Sequence, residues 1–170
     1  VAIGFDLYCQ LLKQAISKLK GSKARPRIET VTHLDFVATN EAEYLMAGDD
    51  ERARLAPAFL PVNYIEQPQT RIQAYKKLAE AGHQQQLDQL RKAWRDRFGP
   101  VPHAVENLLL FTEMKLAAAT RKITKLEVKE RKIMLTRGGD FVLIGGKFPR
   151  LSSEAPVEQL RELAALIRNF

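Results

Sequence analysis

An α+β fold, about five helices packed with a small and mostly antiparallel sheet, is what this 170-residue chain predicts. Three observations lead there. Apolar residues recur at three- and four-residue steps through residues 4–20 and 68–121. After Lys122 the pattern changes to strict alternation, over 125–129 and 132–137, with short turn sequences between. A last stretch, 153–168, returns to helical spacing. The length suits one domain, 1–170, made of a helix-rich part with one strand (1–122) and a β-meander followed by a terminal helix (123–170).

The first helix is expected over residues 4–20, with Phe5, Tyr8, Leu11, Leu12, Ala15, Ile16 and Leu19 as its apolar stripe. Lys18 and Lys20 fall in its last turn and Gly21 stops it. Residues 22–27 read as a basic linker. In 30–38, Val31, Leu34, Phe36 and Ala38 stand among polar neighbours, which predicts a strand at a sheet edge. Residues 41–55 open with acids and contain Gly48-Asp49-Asp50, a composition for short helical turns. Residues 57–65 place Phe59, Leu60, Val62, Tyr64 and Ile65 among prolines and predict a buried, extended connector.

Pro68 suits the first turn of a helix that reaches Ala81 and ends at Gly82, with Ile72, Tyr75, Leu78 and Ala79 facing inward. The next helix, 84–97, buries Leu87, Leu90, Trp94 and then Phe98, while Asp88 and Lys92 form an i,i+4 pair on its wet side. Gly99-Pro100 breaks it. Pro102 starts a third helix to about Arg121, apolar almost all round through Val105, Leu108, Leu109, Phe111, Met114 and Leu116, and so the natural central helix. Glu130-Arg131 then links two strands, Gly138-Gly139 turns into a third over 141–144, and Gly145-Gly146 closes the meander. The final helix presents Val157, Leu160, Leu163, Ala164 and Ile167 to the core.

Composition narrows the function. Apolar content of 45% and charged content of 28% are ordinary for a folded soluble chain, and no apolar run approaches membrane-spanning length. A single cysteine, Cys9, excludes an internal disulfide framework and suits a reducing, cytosolic setting; it reads as a small core side chain. The chain opens as Val1-Ala2-Ile3, as a piece of something longer would. The net charge of +7 invites a nucleic-acid reading, but the cations are scattered. One group is Lys18, Lys20, Lys23, Arg25 and Arg27; another is Arg91, Lys92, Arg95 and Arg97. A solvated face or an acidic protein partner accounts for them as well as a phosphate track does.

No catalytic constellation is assembled. His33, His83 and His103 fall on separate elements without ligand spacing, so no metal and no cofactor are expected. The glycine pairs lack the strand–loop–helix context and Lys-Ser/Thr ending of a phosphate loop. Asp49-Asp50-Glu51 lies in a loop-like segment without an apolar pocket to perturb it. The pair Asp96-Arg97 stands out. An acid at a helix C-terminus opposes the helix dipole and calls for a partner: Lys92 or Arg97 within the chain, or an arginine on another domain.

The order of several motifs resembles the C-terminal (TRCF) domain of bacterial transcription-repair coupling factors. These motifs are Ile3-Gly4-Phe5-Asp6-Leu7-Tyr8, Leu60-Pro61-x-x-Tyr64-Ile65, Arg71 with Tyr75-Lys76, and Asp96-Arg97-Phe98-Gly99-Pro100-x-Pro102. The resemblance implies a non-catalytic module of an ATP-driven DNA translocase whose motor and polymerase-binding domains lie upstream. Such a module docks on the UvrB-like N-terminal region of the same protein and masks the surface that recruits UvrA, until stalled RNA polymerase is engaged. Transcription-coupled nucleotide excision repair is then the setting.

Carried over by position, Asp96, Arg97 and Arg71 become the interdomain docking residues. The family's acidic pair is spaced Glu-x-x-Asp; Asp96 matches its second member, and Ala93 stands at the first. Residues 41–56 look longer than usual for the family, and the tail after Lys122 diverges. The alternative function is a basic nucleic-acid-binding accessory domain that uses Arg91, Lys92 and Arg95 with the basic linker. A hydrolase would require a deep pocket gathering distant acids.

Overall fold

The computed structural model describes residues 29–170 together with Ala15. Apart from Ala15, which is helical, the expected first helix with its Cys9 and the basic linker lie outside the described residues. From Glu29 onward the order is β1 (Val31–Leu34), β2 (Val37–Ala38), α1 (Glu41–Met46), α2 (Asp49–Arg52), β3 (Ala56–Pro57), α3 (Pro68–Glu80), α4 (Gln84–Phe98), α5 (His103–Thr120), β4 (Ile123–Lys129), β5 (Lys132–Arg137), β6 (Asp140–Val142) and α6 (Pro156–Arg168). The fold is α+β, with six described helices and a small, mostly antiparallel sheet.

The main sheet runs β1-β4-β5-β6: β4, β5 and β6 form an antiparallel meander, and β1 joins β4 in parallel at the edge. Alternation fixes its two faces. Leu126 and Val128 on β4, with Ile133 and Leu135 on β5, are buried beneath the sheet, while their neighbours in sequence point the other way. The two-residue link works despite lacking glycine. Glu130 (φ 49°) and Arg131 (φ 67°) both take the left-handed conformation that a tight hairpin needs. Hydrogen bonds hold them there: Glu130 N donates to Asp35 Oδ2 at 2.7 Å, and Arg150 Nη2 donates to Glu130 O at 3.1 Å.

Helix α5 is the central element. Val105, Leu108, Leu109, Phe111, Met114 and Ala118 are all buried, packed by α4, by β3 and β4, and by α6. Two polar residues on it are buried with partners: Asn107 Nδ2 donates to Pro57 O at 2.9 Å, and Thr112 Oγ1 donates to Leu108 O at 2.8 Å. Helix α6 places Leu160, Leu163, Ala164 and Ile167 in the same core. Its end is tied back to α5 through Arg168 Nη1 on Glu113 Oε1 at 3.1 Å.

Several expectations shift. The strand over 30–38 breaks at Asp35-Phe36, because Asp35 turns to bind the Glu130 amide and Phe36 dives into the core. Its second half pairs instead with β3, Val37 opposite Ala56, as a separate two-stranded sheet. Val31 is 49% exposed, since it lies three residues from Leu34 and a strand cannot put both on one face. On α3 the inward stripe is Ala74, Tyr75 and Leu78, and Ile72 is exposed; the helix is rolled so that the Tyr75 hydroxyl meets the Leu60 amide at 2.8 Å. Val62 is exposed because the connector turns there, with Tyr64 N and Ile65 N both donating to Pro61 O. The last strand ends at Val142; Leu143 and Ile144 leave the sheet, and Ile144 closes a small turn with Lys147. Asp88 bridges to Arg91 at 3.5 Å rather than to Lys92.

Candidate functional site

Helices α3 and α4 leave an open groove between them, of about 280 Å³. Gln69, Gln73 and Lys77 line it from α3; Leu90, Ala93 and Arg97 line it from α4. The lining residues of each helix repeat at three- and four-residue steps, so each helix contributes one face. Trp94 forms part of the groove wall while being 4% exposed, which anchors α4 to the core and fixes which of its residues face out.

The end of α4 is held by a small aromatic and glycine assembly. Gly99 has φ 93° and ψ −167°, a backbone state that side chains disfavour, and its amide donates to Arg95 O at 3.0 Å. Tyr64 crosses from the connector and donates its hydroxyl to Gly99 O at 3.1 Å, with its ring edge-on to Phe98 at 5.7 Å. Burial pushes the Tyr64 hydroxyl up, the Glu106 carboxylate adds to this, and Arg95 acts against it. Tyr64 is therefore a proton donor here at ordinary pH. The Leu60–Ile65 connector and the Asp96–Pro100 turn thus meet in space, although more than 30 residues separate Tyr64 from Gly99 (|i−j| = 35).

The residues expected to dock divide into two kinds. Arg71 is half-buried and braces the connector, donating from Nη1 to Ile65 O at 2.8 Å and to Glu66 O at 3.4 Å. Arg97 is exposed, with its guanidinium carbon 5.0 Å from the centre of the Phe98 ring. Asp96 is exposed, and among the described residues it makes no hydrogen bond or ion pair, so neither Lys92 nor Arg97 neutralises it. Ala93, also exposed, sits one turn before Asp96 on the same side of α4.

The basic face is less open than its composition suggests. Arg91 lies between two carboxylates, with Nε on Glu106 Oε2 at 3.0 Å and Nη1 on Asp88 Oδ1 at 3.5 Å, and clamps α4 to α5. Lys92 and Arg95 remain exposed. The groove itself was not visible as such in the sequence. Its signal lay in the polar residues 69, 73 and 77, spaced four apart on the side of α3 away from Tyr75 and Leu78.

The groove and the end of α4 together present exposed polar and charged side chains. No group of three or more His, Cys, Asp or Glu side chains able to hold a metal occurs among the described residues. Every buried side-chain polar atom among them has a partner. No described helix is long and apolar enough to cross a membrane.

The family model for the TRCF domain matches residues 55–140, half of the chain, and this segment contains the connector, both groove helices and the Asp96–Pro100 turn. The chain belongs to the TRCF domain family. Among its relatives, the transcription-repair-coupling factor of Myxococcus xanthus is 28% identical over 85% of this chain. That of Haemophilus influenzae is 32% identical over 74%, and that of Escherichia coli 31% over 76%. The chain spans about a tenth of the length of these relatives, 10% in each case. A solved C-terminal domain of a transcription-repair coupling factor superposes with a TM-score of 0.53 at 16% identity, covering 83% of this chain and 94% of that one. The TRCF-domain fold is thereby shared.

Proposed function

We propose that this chain is the regulatory C-terminal domain of a cytoplasmic transcription-repair coupling factor and performs no catalysis of its own. It docks on the UvrB-like N-terminal region of the same protein and masks the surface that recruits UvrA. RNA polymerase and DNA are engaged by other domains of that protein, and their engagement shifts the docked population toward release. The observation that carries this reading is Asp96: an exposed carboxylate at the C-terminal end of α4, opposed by the helix dipole and unpaired among the described residues. A charge left in that state is stabilised by an arginine presented from outside, in a charge-assisted and bidentate pair. The neighbouring groove offers Arg97 and amide side chains for a polar rim, as suits an interface that must reopen.

The test is calorimetric titration of this chain against the separately produced UvrB-like region, with Asp96→Ala in parallel. Saturable binding that weakens on Asp96→Ala is the expected result. Binding indifferent to Asp96 would move the contact elsewhere on the domain. Absence of binding to that region, together with DNA binding lost on Lys92→Ala and Arg95→Ala, would replace docking with a nucleic-acid role for the α4 face.

A further inference from the structure

The outer face of the four-stranded sheet carries a different composition from its buried side. Strand register places Val31, Lys125, Thr136 and Phe141 in one row across the four strands. Lys129 pairs with Lys132, and Lys132 forms an isolated bridge with Arg150, so these three cations make a second row on the same face. Phe141 is 55% exposed on the edge strand β6. Phe148 returns beside it, its ring edge-on to Phe141 at 5.2 Å, with Lys132 Nζ 5.0 Å from its centre. Four acids border the same region: Glu127, which Lys125 neutralises at 3.1 Å, Glu130 at the turn, Asp35, whose carboxylate accepts from the Glu130 amide, and Asp140, paired with Arg137 in the β5–β6 register. Positive charge and exposed aromatic surface are therefore interleaved here, as they are not on α4.

We propose that this face binds single-stranded nucleic acid, with the exposed Phe141 taking a base face, Phe148 buttressing it from the side, and Lys129, Lys132 and Arg150 taking phosphates. The half-exposed Phe141 ring gives this basic face an apolar contact, and bases offer flat apolar faces with phosphates at regular spacing. The two rows lie four residues apart along β4 and β5, about 13 Å at about 3.3 Å per residue, a span that one extended backbone of a few nucleotides covers. A duplex fits less well. Its bases are stacked out of reach, and a four-stranded face is broader than the helix or two-stranded ribbon that a major groove admits. Phe141, Phe148 and Arg150 all fall after the segment matched to the TRCF domain, so the platform goes beyond the docking role and does not depend on it.

Fluorescence anisotropy with fluorescein-labelled oligothymidylate and oligouridylate, each of about 12 nucleotides, tests this on the whole chain. Both probes bind, and the tighter one identifies the source as DNA or RNA. Phe141→Ala weakens binding about tenfold while the chain stays folded, its thermal melt lowered by no more than the lost edge contact to Phe148. Lys129→Ala lowers the salt dependence by about one phosphate contact, a slope change of about 0.7. Lys92→Ala with Arg95→Ala leaves binding unchanged. No binding at low salt would overturn the proposal, as would equal binding by Phe141→Ala. Equally fatal would be a concentration-dependent dimer, seen by sedimentation, that Phe141→Ala abolishes: the patch would then be covered by a second copy.

Discussion

Replacing Tyr75 with phenylalanine removes the hydrogen bond that joins α3 to the connector. The Leu60 amide is buried with its residue 1% exposed, and its acceptor is the Tyr75 hydroxyl at 2.8 Å. Tyr75→Phe keeps the ring in the core and deletes the acceptor, leaving a buried N–H unsatisfied. That costs about 1–3 kcal/mol, more than the net worth of the bond, because the amide loses water without gaining a partner. For a chain of this size, each kcal/mol lowers Tm by about 2–4 °C. Urea unfolding followed by circular dichroism measures it, with Tyr44→Phe as control, since the Tyr44 hydroxyl makes no hydrogen bond among the described residues. Ionisation gives a second readout. Burial pushes the Tyr75 hydroxyl up to about 12, against the opposing pull of the Leu60 amide and Arg71, with Glu41 adding a small rise. Its folded pKa is raised, so its contribution is complete below about pH 10 and lost as pH rises through about 12. Tyr75→Phe lacks that alkaline loss. A variant as stable as wild type, with the same alkaline profile, would refute the role given to this bond.

Gly99→Ala is destabilising by about 1–3 kcal/mol, because φ 93° with ψ −167° strains any side chain although the space around it is open; chemical denaturation reads the loss. Glu162 gives an acid-side dependence. Burial acts to raise its pKa, but hydrogen bonds from the Ser152 and Ser153 amides and from the serine hydroxyls outweigh it and hold the carboxyl at about 2. The depressed pKa means stability present above about 4.5 and lost as pH falls through about 2. Glu162→Gln removes that dependence, which acid-unfolding curves of the two proteins will show as a flatter slope for the variant.

Local periodicity made the helices readable. The 84–97 and 102–121 stripes come from side chains three and four apart, a relation that needs no knowledge of the rest of the chain. The Glu130-Arg131 link was equally legible from its position between two alternating runs. Where tertiary contacts decide, the pattern misled. Ile72 looked inward by spacing, yet Tyr75's reach to Leu60 rolls α3 and brings Ala74 in instead. The break at Asp35 depends on the Glu130 amide, 95 residues away, and no local window contains it. At the site, the Asp96–Pro100 motif was visible, but its junction with Tyr64 and the availability of Asp96 were not. Both follow from how the connector folds back onto α4. Arg71 illustrates the same limit: its hydrogen bonds to Ile65 O and Glu66 O, which brace the connector, were not readable from its place in the motif.

The most direct measurement is the calorimetric affinity of this chain for the UvrB-like region, wild type against Asp96→Ala, at one salt concentration. Loss of a charge-assisted pair predicts weakening by about 10–100-fold, with the fold of the variant unchanged because Asp96 is exposed. The same affinity for both proteins, or no binding by wild type, would contradict docking through the end of α4.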